Sequence, residues 1–245
     1  MAAPERTVSV RPPSLVARPA LFKRLSAGYA RGVTLISAPA GSGKTVLLRS
    51  WIEAVGLAER IAWVSVERDE RDEQRFWLAV VEALRTAAGL EGPIDDLGPA
   101  PGFDGDAVEA RIVDGARSLD EPLLLVIDDL HHLIEPKALA ALERLLDRRP
   151  PQLRVMLSAR HDPPLGLHRL RLAGELTELR ATDLRFQLDE TNALLSVAGI
   201  TLSATAVGSL QTRTEGWVAG LRLAALSLAG RPDPERFVAD FSGSE

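Results

Sequence analysis

The chain has 245 residues, 46% of them hydrophobic and 26% charged, enough to bury a real core as one α/β domain or as a domain with a smaller partner. Its net charge of −5 argues against a surface built to neutralise many nucleic-acid phosphates, and the absence of cysteine excludes disulfides and cysteine-held zinc and makes a cytoplasmic home the default. No apolar run approaches the roughly 20 residues of a membrane-spanning helix, and residues 1–13, with charges and prolines, lack a signal-peptide core.

In chain order, residues 14–29, which include Arg18 and Pro19, carry apolar positions at helical spacing. A short buried strand is predicted at 33–37, then a glycine-rich turn and a helix over 44–55. A second strand follows at 61–66, with helices at 76–88 and 107–118 on either side of a loop over 90–105. The continuous apolar run 123–127 ends in two carboxylates, as expected of a central parallel strand buried on both faces. A helix at 138–146, a strand at 154–158 and an edge strand at 176–179 complete an alternation that predicts a doubly wound, mostly parallel α/β sheet. After Thr182 only helical patterns remain, at 189–197, 204–213 and 216–228. The expected division is a leader and helix over 1–30, an α/β domain over 31–181, whose Gly41-Ser42-Gly43-Lys44-Thr45 between strand and helix makes it a P-loop NTPase domain, and a small all-α lid over 182–245.

Ala38-Pro39-Ala40-Gly41-Ser42-Gly43-Lys44-Thr45, followed by Val46, fits the P-loop pattern with alanine in place of its first glycine. Backbone N–H groups of such a loop wrap phosphate oxygens, and the following helix turns its positive end toward them. Lys44 would reach the β and γ phosphates, and the Thr45 hydroxyl would ligate Mg²⁺. Three of the 29 basic residues are lysine and the rest arginine, so a lysine here calls for a chemical reason. A compact ammonium inserts beneath a loop where a planar guanidinium does not.

Strand 123–127 delivers Asp128 to the edge where open α/β sheets bind ligands, and Asp128 would hold the magnesium ion. Asp129 is placed to orient or deprotonate an attacking water. Arg160 closes strand 154–158 beside the expected γ-phosphate position, where it would sense or stabilise charge. His131 and His132 have too few companion ligands for a metal site and are expected to pack or face solvent.

These stretches resemble the nucleotide-binding domain of MalT-like regulators, large ATP-binding LuxR-type proteins among the signal-transduction ATPases with numerous domains. The resemblance rests on Arg18-Pro19-Ala20-Leu21, the P-loop, Val126-Ile127-Asp128-Asp129-Leu130-His131, Leu157-Ser158-Ala159-Arg160 with Asp162-Pro163-Pro164-Leu165, Leu184-Arg185-Phe186, and Thr214-Glu215-Gly216-Trp217-Val218-Ala219-Gly220-Leu221. It covers about residues 11–243 and implies an ADP-held resting state, an ATP-bound state that self-associates after an inducer binds elsewhere, and slow Mg-dependent hydrolysis as the reset. It also implies that Arg160 is the family's sensor arginine, that Gly216 and Trp217 pack the lid near the nucleotide, and that the leader around Val16 and Arg18 lies against the adenine. Family members are several times longer, so the chain is expected to be a fragment or truncated product. DNA would be read by a C-terminal domain, with no nucleic-acid or membrane contact from this part. The competing reading is a stand-alone AAA+ type ATPase that remodels or loads a substrate, against which Asp129 stands where those machines usually carry glutamate.

Overall fold

The computed structural model describes residues 16–68, 70–88 and 103–240, so the leader and most of the loop expected over 90–105 lie outside the described residues. The chain divides into two compact units, Pro19–Leu184 and a second comprising Met1–Arg18 with Arg185–Glu245.

The first unit begins with helix α1 (Pro19–Arg31), shorter at its start than the expected 14–29. Proline disfavours helical backbone at the residue before it, so Arg18 stays outside while Pro19 is tolerated in the first turn. Leu21, Leu25 and Gly28 form its buried face. A side chain at Gly28 would meet Thr34 Oγ1 at 2.3 Å, so glycine lets this helix lie close against the sheet.

Five strands, β1 (Val33–Ser37), β2 (Ile61–Ser65), β3 (Leu123–Asp128), β4 (Leu153–Ala159) and β5 (Leu176–Arg180), form a parallel sheet in the order β2-β3-β4-β1-β5. Every residue of β1 and β3 is buried, whereas the edge strands β2 and β5 alternate buried with partly exposed positions. Helices α2 (Lys44–Val55), α3 (Glu73–Ala88), α4 (Gly105–Arg117) and α5 (Pro136–Arg148) link the strands. One face of the sheet packs Ile36, Val126 and Met156 with Leu48 and Trp51 of α2, and the other packs Leu35, Leu125 and Leu157 with α3, α4 and α5. The register pairs Ser65 with Asp128 and Ser37 with both Ala159 and Arg180, so the strands finish along one edge. Two helices of this unit, α6 (His168–Leu172) and α7 (Ala181–Leu184), are too short to leave a periodic signal.

The second unit is helical: α8 (Leu188–Val197), α9 (Ala204–Thr214), α10 (Val218–Leu228) and α11 (Pro234–Asp240). Its own core joins Phe186, Leu195, Leu210, Leu221 and Ala225, with Val16 packed against them.

Candidate functional site

The loop between β1 and α2 carries the phosphate-binding pattern, and its geometry follows from two glycines. Gly41 and Gly43 have φ of 74° and 80°, a left-handed backbone that other residues adopt at a cost. Lys44 opens α2 and is buried, its Nζ donating to the carbonyls of Ala38 at 2.7 Å and Pro39 at 3.0 Å. Burial pushes the Lys44 ammonium below its ordinary value; Asp129 and Asp128 oppose this, and Arg160 adds to it. One residue on, the Thr45 hydroxyl donates to Asp128 Oδ2 at 2.8 Å, joining the start of α2 to the end of β3.

Asp128 is buried and also accepts the Asp129 N–H on Oδ1 at 3.1 Å. Asp129 takes a positive φ of 56°, which is uncommon for a residue with a side chain and turns the chain sharply out of the strand. A single 3₁₀ turn follows over Leu130–His132. A clamp that sequence patterns did not reveal secures it: the Glu70 N–H donates to the His132 carbonyl at 2.9 Å, and the Ile134 N–H to the Glu70 carbonyl at 3.1 Å.

The turn brings His131 inward. Its side chain is only 6% exposed, Nδ1 lies 3.8 Å from Asp129 Oδ1, and its ring sits 4.0 Å from that of His132. Neither ring nitrogen has a hydrogen-bond partner among the described residues. Burial, helped by His132 and Arg160, lowers its pKa to about 4, so the ring is neutral near pH 7. Of the two readings held open for His131, the structure gives the packed one, beside the second acid. Arg160 follows the end of β4 and is exposed, with no hydrogen bond or ion pair among the described residues.

The P-loop, Asp128, Asp129 and Arg160 thus belong to one unit. Arg18 and Trp217 belong to the other. The Arg18 guanidinium is buried, forks onto Glu190 at 2.9 and 3.0 Å, donates to the Arg185 carbonyl at 2.9 Å and lies over the Phe186 ring. Trp217 caps α10, is 45% exposed, and donates its N–H to the Thr214 carbonyl at 2.8 Å.

The donor set suits a hydrated magnesium ion. A hydroxyl and a carboxylate in hydrogen-bond contact offer oxygen ligands, and magnesium takes few from protein and the rest from water and phosphate. Among the described residues no group of three His, Cys, Asp or Glu could hold a metal by itself. The left-handed glycines and the buried ammonium beside them are the groups that would cradle a polyphosphate.

Comparison with known proteins agrees with this geometry. The AAA ATPase domain family matches residues 19–158. The serine/threonine-protein kinase PknK of Mycobacterium tuberculosis (strain ATCC 25618 / H37Rv) is 35% identical over 243 residues, which cover 96% of this chain and 22% of that protein. The HTH-type transcriptional regulator MalT of Yersinia enterocolitica is 29% identical over 221 residues, covering 89% of this chain and 24% of the regulator. The chain therefore spans less than a quarter of the length of these relatives. In fold it is similar to a Walker-type ATPase of Pyrococcus abyssi, with a TM-score of 0.64 at 13% identity over 94% of this chain and 73% of that one. A signal transduction ATPase with numerous domains from Pyrococcus horikoshii, which carries a tetratricopeptide repeat sensor, gives 0.61 at 18% identity over 94% of this chain and 32% of that one.

Proposed function

The chain belongs to the AAA ATPase domain family and is a MalT-like nucleotide-binding domain, and on that premise we propose that it is an ATP/ADP switch reset by its own slow, Mg-dependent hydrolysis. The observation that carries the proposal is the Thr45 to Asp128 hydrogen bond, which joins the P-loop helix to the acidic strand, with Asp129 and Arg160 at the same sheet edge. A bound magnesium ion would neutralise charge on the β and γ phosphates and would be held by Thr45 and Asp128.

The residues divide the work. Lys44, now resting on the Ala38 and Pro39 carbonyls, turns its ammonium to the phosphates when they displace those weaker acceptors. Asp129 orients the attacking water and accepts its proton. Neutral His131 packs beside that carboxylate and limits its motion. Arg160, with no hydrogen bond or ion pair among the described residues, reads the γ-phosphate, which only ATP carries.

One relative bears the name of a transcriptional regulator and another that of a protein kinase, so the segment common to them is best understood as a control module rather than as the effector. In a MalT-like protein, the ATP state would self-associate after an inducer binds elsewhere, and a separate domain would read DNA. The function is tested by nucleotide titration and single-turnover hydrolysis. Lys44→Ala should weaken ATP binding at least about 100-fold, since it removes a charge-assisted contact from a water-poor loop. Asp129→Asn should bind normally and hydrolyse about 100-fold more slowly. Equal binding by Lys44→Ala and the parent overturns the phosphate role. Rapid continuous turnover with ring formation would favour the remodelling ATPase instead.

A further inference from the structure

We propose that Asp162 is a positioning residue for Arg160, its carboxylate tying the loop after β4 to Arg180 at the end of β5. This rests on the reading of Arg160 as the γ-phosphate sensor.

The argument begins where the sheet stops. The backbone ladder of β4 ends at Ala159, whose carbonyl accepts the Ala38 N–H at 3.2 Å. Past that bond the chain is irregular until α6, and the prolines at 163 and 164 cannot donate backbone hydrogen bonds. The backbone bonds that organise this loop lie at its far end, from the Leu165 N–H to Pro163 and from the Leu167 N–H to Leu165, both 2.8 Å. Arg160 and His161 sit between the last ladder bond and that far end.

Asp162 supplies the missing anchor. Its carboxylate pairs with the Arg180 guanidinium, and the Ser37 hydroxyl and Arg180 together hold its carboxyl below the usual carboxylate range. Arg160 is thereby bracketed by two attachments, Ala159 to Ala38 and Asp162 to Arg180. The first attachment is to the P-loop itself and the second to the end of β5, so the sensor arginine is referenced to the loop that holds the phosphates and to the sheet edge beside it. Because the sheet order runs β4-β1-β5, one carboxylate reaches across the ends of three adjacent strands.

A purely stabilising role accounts poorly for this arrangement. The Asp162 and Arg180 side chains are 61% and 38% exposed, and exposed ion pairs contribute little to stability. Nor does Arg180 need Asp162 to avoid an unpaired charge, since it also pairs with Glu178, which in turn binds Arg171 at 2.9 and 3.0 Å. Removing Asp162 therefore releases the loop while leaving the end of β5 tied.

The test measures ATP and ADP affinities of the 245-residue chain by calorimetry, with melting temperature alongside, for the parent, Arg160→Ala, Asp162→Ala, Arg180→Gln and the exchanged pair Asp162→Arg with Arg180→Asp. Arg160→Ala is expected to reduce ATP affinity about tenfold with ADP affinity nearly unchanged. Asp162→Ala should lower the preference for ATP about fivefold, again sparing ADP, with Arg180→Gln falling in the same direction and the exchanged pair recovering most of the loss. If Arg160→Ala lowers the preference and Asp162→Ala does not, the positioning role is overturned while the sensor reading stands. If Arg160→Ala leaves the preference intact, the sensor reading fails and the positioning role falls with it. Equal losses of ATP and ADP affinity in Asp162→Ala, with a lower melting temperature, would make the tether structural and overturn the inference.

Discussion

Buried polar groups are treated in opposite ways in the two units. Among the described residues, every buried side-chain polar atom without a hydrogen-bond partner lies in the sheet unit: on Thr34, Trp77, Glu109, His131, Arg154 and Ser158. In the helical unit, buried Thr191 donates to Gln211 at 2.6 Å, buried Thr214 donates to the Leu210 carbonyl at 2.8 Å, and Arg18 is held by Glu190 and Arg185. An orphaned buried group costs about 1–3 kcal/mol. Fully buried strands covered on both faces can carry that cost, whereas a few short helices around a small core cannot. Two of the orphans, on His131 and Ser158, stand two residues after Asp129 and two before Arg160. Those two stand beside the candidate site, where a ligand could satisfy them, while the other four lie elsewhere in the sheet unit.

The largest effect is expected in the helical unit, which has least to spare. Gly216 has φ of 71°, and a Cβ there would come within 2.5 Å of the Phe186 carbonyl oxygen and 3.1 Å of its nitrogen. The Phe186 N–H also donates to the Gly216 carbonyl at 2.9 Å, so the two segments have no room to separate. Gly216→Val combines left-handed strain with a backbone clash and should cost about 4 kcal/mol. Urea denaturation followed by helical circular dichroism checks this; a loss below about 1 kcal/mol would show that the turn can rearrange.

Arg18→Ala should come next, at about 3 kcal/mol, because it leaves the Glu190 carboxylate partly buried with no guanidinium beside it. The same variant decides between two roles for Arg18. As a scaffold residue it should change nucleotide affinity less than about threefold once the protein is folded. A tenfold loss of ATP and ADP affinity with unchanged stability would instead place the leader against the adenine, as the family resemblance implies.

What could be read from the sequence follows the same division. The strands and the P-loop depend on contiguous residues, so a fully apolar run such as Leu123–Asp128 and a glycine-rich turn before Lys44 carry their own explanation. The sheet order, the Glu70 clamp and the Asp162 to Arg180 tether join residues distant in sequence, and no local pattern encodes them. His131 was visible as a residue type but not as a neighbour of Asp129. That closeness depends on the left-handed turn at Asp129, where an aspartate does what glycine usually does. In the helical unit the helices were legible from periodicity, yet Arg18 and Glu190, which hold its first and later segments together, are 172 positions apart.

The smallest effect sharpens the contrast from the other side. All four histidines, 131, 132, 161 and 168, lie in the sheet unit, so any dependence of stability on histidine protonation between pH 5 and 7 arises there. His131 titrates near 4 when folded and near 6.5 when unfolded. Below about pH 6.5 the unfolded chain takes up a proton that the folded chain refuses, and stability falls until the pH nears 4. Glu109, raised by burial, works in the opposite sense, since the folded chain binds its proton first. The parent alone would therefore give a blurred profile, and the informative quantity is its difference from His131→Asn. That variant removes the titrating ring and leaves the carboxylates in place. Between pH 7.5 and pH 5 it should lose less stability than the parent, by on the order of 1 kcal/mol. Urea midpoints at three pH values suffice to measure it. Parallel profiles would mean that the imidazole is hydrated rather than packed beside Asp129, and the sheet unit would then hold one fewer orphan at its site.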